Sequence, residues 1–166
     1  MFFCLKLCLS IDMLMVIISI IFAIAMGYLE AAVVVYLREL YYPGGFHIKE
    51  KVNFPFIKFG EVNELKPFSR KLIYTEIGRE AATIIMLIAF AISAGNSLTT
   101  YVAYFLLLFG VWDIFYYVFL KIILGWPESL STTDVFFLIP VPWIGPVWLP
   151  VLLSLLLVAF SIITLV

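Results

Sequence analysis

The chain carries an apolar run, residues 81–94, with Glu76, Arg79 and Glu80 directly on its N-terminal side. At 14 residues this run is too short to cross a hydrocarbon core of roughly 30 Å, which takes about 20 helical residues. A spanning helix must therefore draw in the preceding turns. Residues 71–95 read as one such helix, with three ionisable groups in its first half. At that depth charged groups are costly and face a bundle interior or a wet cavity, which makes them functional candidates.

The composition agrees with a membrane setting. The 166 residues are 65% apolar and only 13% charged, against about a quarter charged in soluble domains, and the mean hydropathy is +1.17. One domain is the natural reading. A formal net charge of −1 says nothing about partners, and no basic run suggests nucleic acid, which is not expected as a partner. Cys4 and Cys8, four residues apart on a helix, are poorly placed for a mutual disulfide, and two thiols alone do not make a zinc site. They read as small lipid- or helix-facing side chains.

Four transmembrane helices are expected, at about 11–42, 68–95, 98–124 and 147–166, giving an all-α polytopic membrane fold. The first is long enough that it must tilt or project from the bilayer. Ala23-Ile24-Ala25 offers a signal-peptidase site, but the n-region is weak and Glu30 continues the same helical pattern, so an uncleaved helix is expected. Pro43-Gly44-Gly45 stops it. Residues 43–67 form a long extramembrane loop, read either as a short hairpin at the headgroup level or as an irregular cover over the bundle. Asn96-Ser97 is so short a turn that helices two and three must run antiparallel.

Gly125 and Pro127 end the third helix. Residues 134–150 are apolar yet broken by Pro140, Pro142, Pro146 and Pro150, which a regular helix cannot accommodate. A re-entrant or interfacial segment is the expected form. Tyr41, Tyr42, Trp126, Trp143 and Trp148 read as an interfacial belt. Nine of the ten Lys and Arg residues fall at one end of this topology. By the positive-inside rule that end is cytoplasmic, with both termini outside a cytoplasmic membrane.

The topology gathers acids at the same end. Glu30 on the first helix, Glu76 and Glu80 on the second and Asp113 on the third all occupy the cytoplasmic half of the bundle. Glu76 and Glu80 share a helix face, which Thr83 extends. Tyr116 and Tyr117 lie beside Asp113 and can donate hydrogen bonds to carboxylates. Asp134, Arg38 and His47 sit at the segments capping that side, and Arg79 is placed to pair with Glu80 or to orient an anionic group.

Four buried carboxylates against one or two arginines do not persist in a low dielectric, so either protons or a cation must complete the site. Oxygen-only ligation by Glu30, Glu76, Glu80 and Asp113 suits a hard divalent metal ion. With His47 added, iron or zinc would fit. Each piece also has a bland form: a structural ion pair, a tyrosine–carboxylate bond, a loop histidine, a helix cap at Asp134. With one histidine in the chain, no histidine box, His-Glu-x-x-His motif or bis-His haem is present. No Gly-x-Ser-x-Gly elbow or Walker loop occurs either.

The stretches YLRELYYPGGF at 36–46, REAATIIML at 79–87, FGVWDIFYY at 109–117 and GWPESL at 125–130, with IPVPWIGP at 139–146, resemble a family of small prokaryotic four-helix membrane proteins. That family has no established activity, so the resemblance assigns no site residues. Three functions remain in view. The first is a metal-dependent enzyme acting on a lipid or other apolar substrate. The second is a proton- or cation-coupled carrier, for which the outer half lacks polar residues and no inverted repeat is visible. The third is a subunit of an oligomer or larger membrane complex, with Ala23-x-x-x-Gly27 favouring helix partners.

Overall fold

In the computed structural model the described residues are 2–41, 57–59 and 69–166. Four helices dominate: α1 (Phe2–Tyr41), α2 (Arg70–Ala94), α3 (Leu98–Leu124) and α4 (Trp148–Leu165). Each holds a segment long and apolar enough to cross a membrane, from 28 residues in α1 to 18 in α4. Their outer faces are apolar too, with Ile85 65% and Ile163 82% exposed. A surface of that kind is compatible with a multi-pass membrane protein and not with a water-facing monomer.

Local chemistry explains where the helices stop. The Ser69 hydroxyl accepts from the Leu72 N–H at 3.2 Å and caps α2. Ser97 and Thr100 form a reciprocal capping box that closes the short α2–α3 turn. Gly125, at φ +68° in the left-handed region, ends α3, and Lys121 Nζ donates to the carbonyls of Gly125 and Pro127. Pro150 lies in the first turn of α4, where its missing N–H costs nothing. The start of α1 differs from expectation. It begins at Phe2, not near residue 11, because neither Pro nor Gly precedes Gly27 and the charges of Lys6 and Asp12 do not interrupt a helix.

The bundle is built around α3, which packs on α1, α4 and α2, whereas α1 and α2 make no extended contact with each other among the described residues. Two glycines set the spacing. A Cβ on Gly27 would stand 3.0 Å from the Trp112 carbonyl oxygen, and one on Gly110 would stand 2.8 Å from the Ser154 carbonyl oxygen. Without a side chain at these crossings, α1 and α4 close directly onto the α3 backbone. Ala23, Leu87, Ala91, Leu107 and Leu108 fill the core between them. The buried hydroxyls of Ser19 and Ser161 turn back onto the carbonyls of Met15 and Leu157 of their own helices, so neither is left unsatisfied.

The expected all-α character holds for the four helices but not for the proline-rich segment. Residues Thr133–Phe137 (β2) and Trp143–Pro146 (β3) pair antiparallel, and Lys58–Phe59 (β1) adds to the other edge of β3. Pro140 and Pro142 fall in the β2–β3 connection and Pro146 at the end of β3, so the spacing that forbids a helix permits a hairpin. Phe137 packs against Phe109 and Trp112 with ring centroids 6.1 and 6.3 Å apart, so this strand reaches between the helices to the middle of α3. Apart from 57–59, the loop expected at 43–67 lies outside the described residues.

The glycine crossings make a direct test. Gly110→Ala is expected to lower the thermal midpoint in detergent by an amount matching about 1–3 kcal/mol of overpacking. Gly78, whose Cβ would meet nothing within 4 Å, is the control: Gly78→Ala should leave stability unchanged or raise it by up to about 1 kcal/mol. Equal losses in both variants would show that close approach at Gly110 does not matter.

Candidate functional site

The parting of α1 from α2, with α3 as floor and β2 across one side, leaves a part-open cavity of about 150 Å³. Its polar walls are five acids (Glu30, Glu76, Glu80, Asp113 and Asp134) and two arginines (Arg38 and Arg79). Between them stand apolar groups, chiefly Val34, Leu37, Ile73 and Phe137. The end of the bundle that the sequence marks as acidic is therefore one lined space.

Inside it, the acids divide by partner. Arg79 bridges two of them: it pairs through Nη1 with Glu30 across the gap, and its Nε donates to Glu76 Oε2 at 2.8 Å. Its Nη2 lies 2.7 Å from the same Glu76 oxygen, so two guanidinium nitrogens converge on one carboxylate oxygen one turn away. The sequence expectation paired Arg79 with Glu80, and the structure corrects it. Glu80 points to β2 instead, where both its oxygens accept from the Leu138 N–H at 2.9 and 3.2 Å. Thr83 continues the α2 stripe as expected, but its hydroxyl donates to the Arg79 carbonyl.

Asp113 likewise has a partner that the sequence pattern did not name. Its Oδ2 accepts from Ser154 Oγ of α4 at 2.8 Å, and Tyr117, placed on sequence grounds beside Asp113, donates to Asp134 at 3.0 Å. Tyr116 lines the cavity and meets Tyr117 edge-on. Arg38 stacks on the Trp126 ring at 3.8 Å with its guanidinium 4.0 Å from Asp134. This cluster ties the C-terminal end of α1, the end of α3 and the start of β2 into one corner. Asp134 is 4% exposed, and burial pushes its carboxyl up to about 6 against the opposing pull of Arg38, the Tyr117 hydroxyl and the Val135 N–H.

Of the ten residues singled out in the sequence, nine are described, and all but Tyr117 line the cavity; Tyr117 touches it through Asp134. His47 lies outside the described residues. Ser154 could have been noticed as a lone small polar group in the middle of an apolar helix, but the Leu138 N–H leaves no mark in side-chain chemistry. The indole Nε1–H of Trp112, in the cavity wall, is buried with no hydrogen-bond partner among the described residues.

The four expected metal ligands line one space without forming one shell. Among the described residues no three His, Cys, Asp or Glu side chains are grouped so as to hold a metal ion. Two opposed needs explain it: Glu30 and Glu76 are drawn to Arg79, while Glu80 and Asp113 are drawn outward to β2 and α4. The hydrogen bonds that Glu80 and Asp113 accept among the described residues come from neutral donors, although Arg79 also attracts Glu80. Against family models, curated proteins and solved structures, the chain has no match.

The Asp134 corner carries a pH signature with a definite sign. Its carboxyl binds a proton more tightly in the fold, up to about 6, than at the ordinary 3.8, so it favours folding below about pH 4 and that contribution fades as the pH rises to about 6. Between pH 4 and 7 the wild type should lose more thermal stability than Asp134→Asn, by roughly 3 kcal/mol. Parallel stability curves would show that Asp134 does not take up its proton in the folded state.

Proposed function

We propose that this is a multi-pass membrane protein whose intramembrane cavity binds a small amphiphile through a positively charged head group. The observation that carries the reading is the excess of three acids over arginines in one apolar-walled space. An uncompensated excess of that size is not sustained in a low dielectric, so protons or a cation must offset it. Glu80 and Asp113, whose hydrogen-bond donors are neutral, are the groups a cationic head would meet. Val34, Leu37, Ile73 and Phe137 supply the surface for an apolar tail, and the gap between α1 and α2 gives it a way in from the bilayer. The β2–β3 hairpin serves as a re-entrant cover, which is where non-helical backbone belongs at membrane depth. The basic residues gathered at this end support a cytoplasmic orientation for it.

The test is a tryptophan-fluorescence titration in lipid nanodiscs, with dodecylamine and dodecanoic acid as probes, since Trp112 stands in the cavity wall. A saturable response to the amine is expected, at least tenfold weaker for the acid and lost in Glu80→Gln/Asp113→Asn. Equal responses to both probes, or an amine response that the double variant retains, would end this reading.

A divalent metal ion is the second reading, favoured by the same acidic excess and by an all-oxygen donor set. Metal binding would require Glu80 or Asp113 to leave its present partner. Elemental measurement of purified wild type, Glu80→Ala and Asp113→Ala decides it. Stoichiometric metal in the wild type that falls in both variants supports a metal site, and its absence from the wild type removes it.

A further inference from the structure

The two halves of α2 are held in different ways. Its C-terminal half is packed by apolar contact: Leu87 and Ala91, both almost fully buried, belong to the same core cluster as Leu107 and Leu108 of α3. Ring stacking of Phe90 on Phe22 of α1, at 4.7 Å between centroids, adds to that anchorage. Beyond it, the three-residue turn to α3 is closed by the Ser97–Thr100 capping box, so this end of α2 cannot slide. The N-terminal half borders the cavity. There Ile73 is buried, but the ties that α2 makes are polar: to α1 through Arg79–Glu30 and to the residue after β2 through Glu80–Leu138, and α1 and α2 make no extended contact otherwise among the described residues.

Apolar packing is non-directional and is lost gradually, whereas these polar ties can be exchanged one for one with another donor. We propose that α2 is the movable wall of the cavity, pivoting at the 95–97 turn and latched at its inner half by Arg79 on Glu30 and by Glu80 on the Leu138 N–H. Hinges of this type absorb a change in a few residues at an element's end while the packed segments move as rigid bodies. A tilt of about 10° over the roughly 37 Å of α2 would carry its inner end about 6 Å from α1. The last step, and only that step, rests on the cationic-ligand reading: an ammonium group taken up by Glu80 replaces the Leu138 N–H as its partner and so holds that part of the latch open.

Electron-paramagnetic distance measurements in nanodiscs test the pivot. With Cys4 and Cys8 replaced by Ser, one pair of spin labels goes on the exposed positions Tyr36 and Tyr74, at the inner ends of α1 and α2, and a second on Ile21, midway along α1, and Ile92, at the outer end of α2. In Arg79→Gln the inner distance should lengthen by about 6 Å while the outer distance stays put, and Arg79→Lys should remain near the wild type. Glu30→Gln removes the same bridge from α1 and provides a second arm if Arg79→Gln does not fold. An unchanged inner distance overturns the proposal, and equal lengthening of both pairs overturns it as well, since α2 would then be detaching whole. Dodecylamine on the wild type separates the two ideas. Opening in the variants with no response to amine keeps the pivot and removes the ligand, while a saturable tryptophan response with unmoved labels removes the pivot.

Discussion

One guanidinium group holds together parts of this fold that share little else. Arg79 lies on a helix whose apolar stretch is too short to span alone, and it accepts that depth only because Glu30 and Glu76 surround it. The cost of burying an ion is recovered only with good geometry and satisfied hydrogen bonds, and two nitrogens on one Glu76 oxygen with a second carboxylate opposite meet that condition. Removal of Arg79 would strand two carboxylates in a low dielectric, whereas loss of either acid leaves a one-to-one pair. The pairing therefore fixes the rotation of α2, and with it the direction in which Glu80 leaves the helix. Glu80 in turn meets the Leu138 N–H just past β2, so the hairpin's position follows from the same bridge.

The remaining shape comes from absent side chains. Gly27 and Gly110 let α1 and α4 close onto α3, which meets α2 less extensively. A tight α1–α3–α4 unit with α2 more loosely joined is the consequence, and the cavity is the space this leaves. In a bilayer, where lipid tails compete equally well for apolar surface, such close backbone contacts and polar bridges decide which helices stay together.

Much of this can be read from residue types. The helix at 98–124 is bounded by Ser97 and Gly125, and both ends agree with the structure because capping chemistry is local. The gathering of Glu30, Glu76, Glu80 and Asp113 at one end was legible from topology, since alternating helix direction alone puts them there. Their partners were not. Arg79 next to Glu80 in sequence suggests a pair, yet neighbouring residues on a helix point about 100° apart, and the contact goes to Glu76 one turn back. The β2–β3 hairpin was hidden because residues 135–148 are mostly as apolar as a spanning helix, and only Pro140, Pro142 and Pro146 marked the segment as something else. The Ser154–Asp113 and Tyr117–Asp134 bonds depend on helix rotations that no periodicity specifies.

The division of the acids by partner also narrows where a positive charge can sit. Glu30 and Glu76 share Arg79, and Asp134 has Arg38 close by, so these three already face a cation. Glu80 and Asp113 also line the cavity, but the hydrogen bonds they accept come from an amide N–H and a hydroxyl, with Arg79 acting on Glu80 only at longer range. A cation beside either of them would not have to displace an arginine, whereas one beside Glu30 would have to displace Arg79 first. In the proposed reading Glu80 and Asp113 therefore receive the charged head, and the bond from the Leu138 N–H to Glu80 is what that head must open. An ion small enough to reach Asp113 alone would leave the bond closed. A larger amphiphile would not, and in that reading the difference in size would tie the choice of ligand to the proposed motion of the wall.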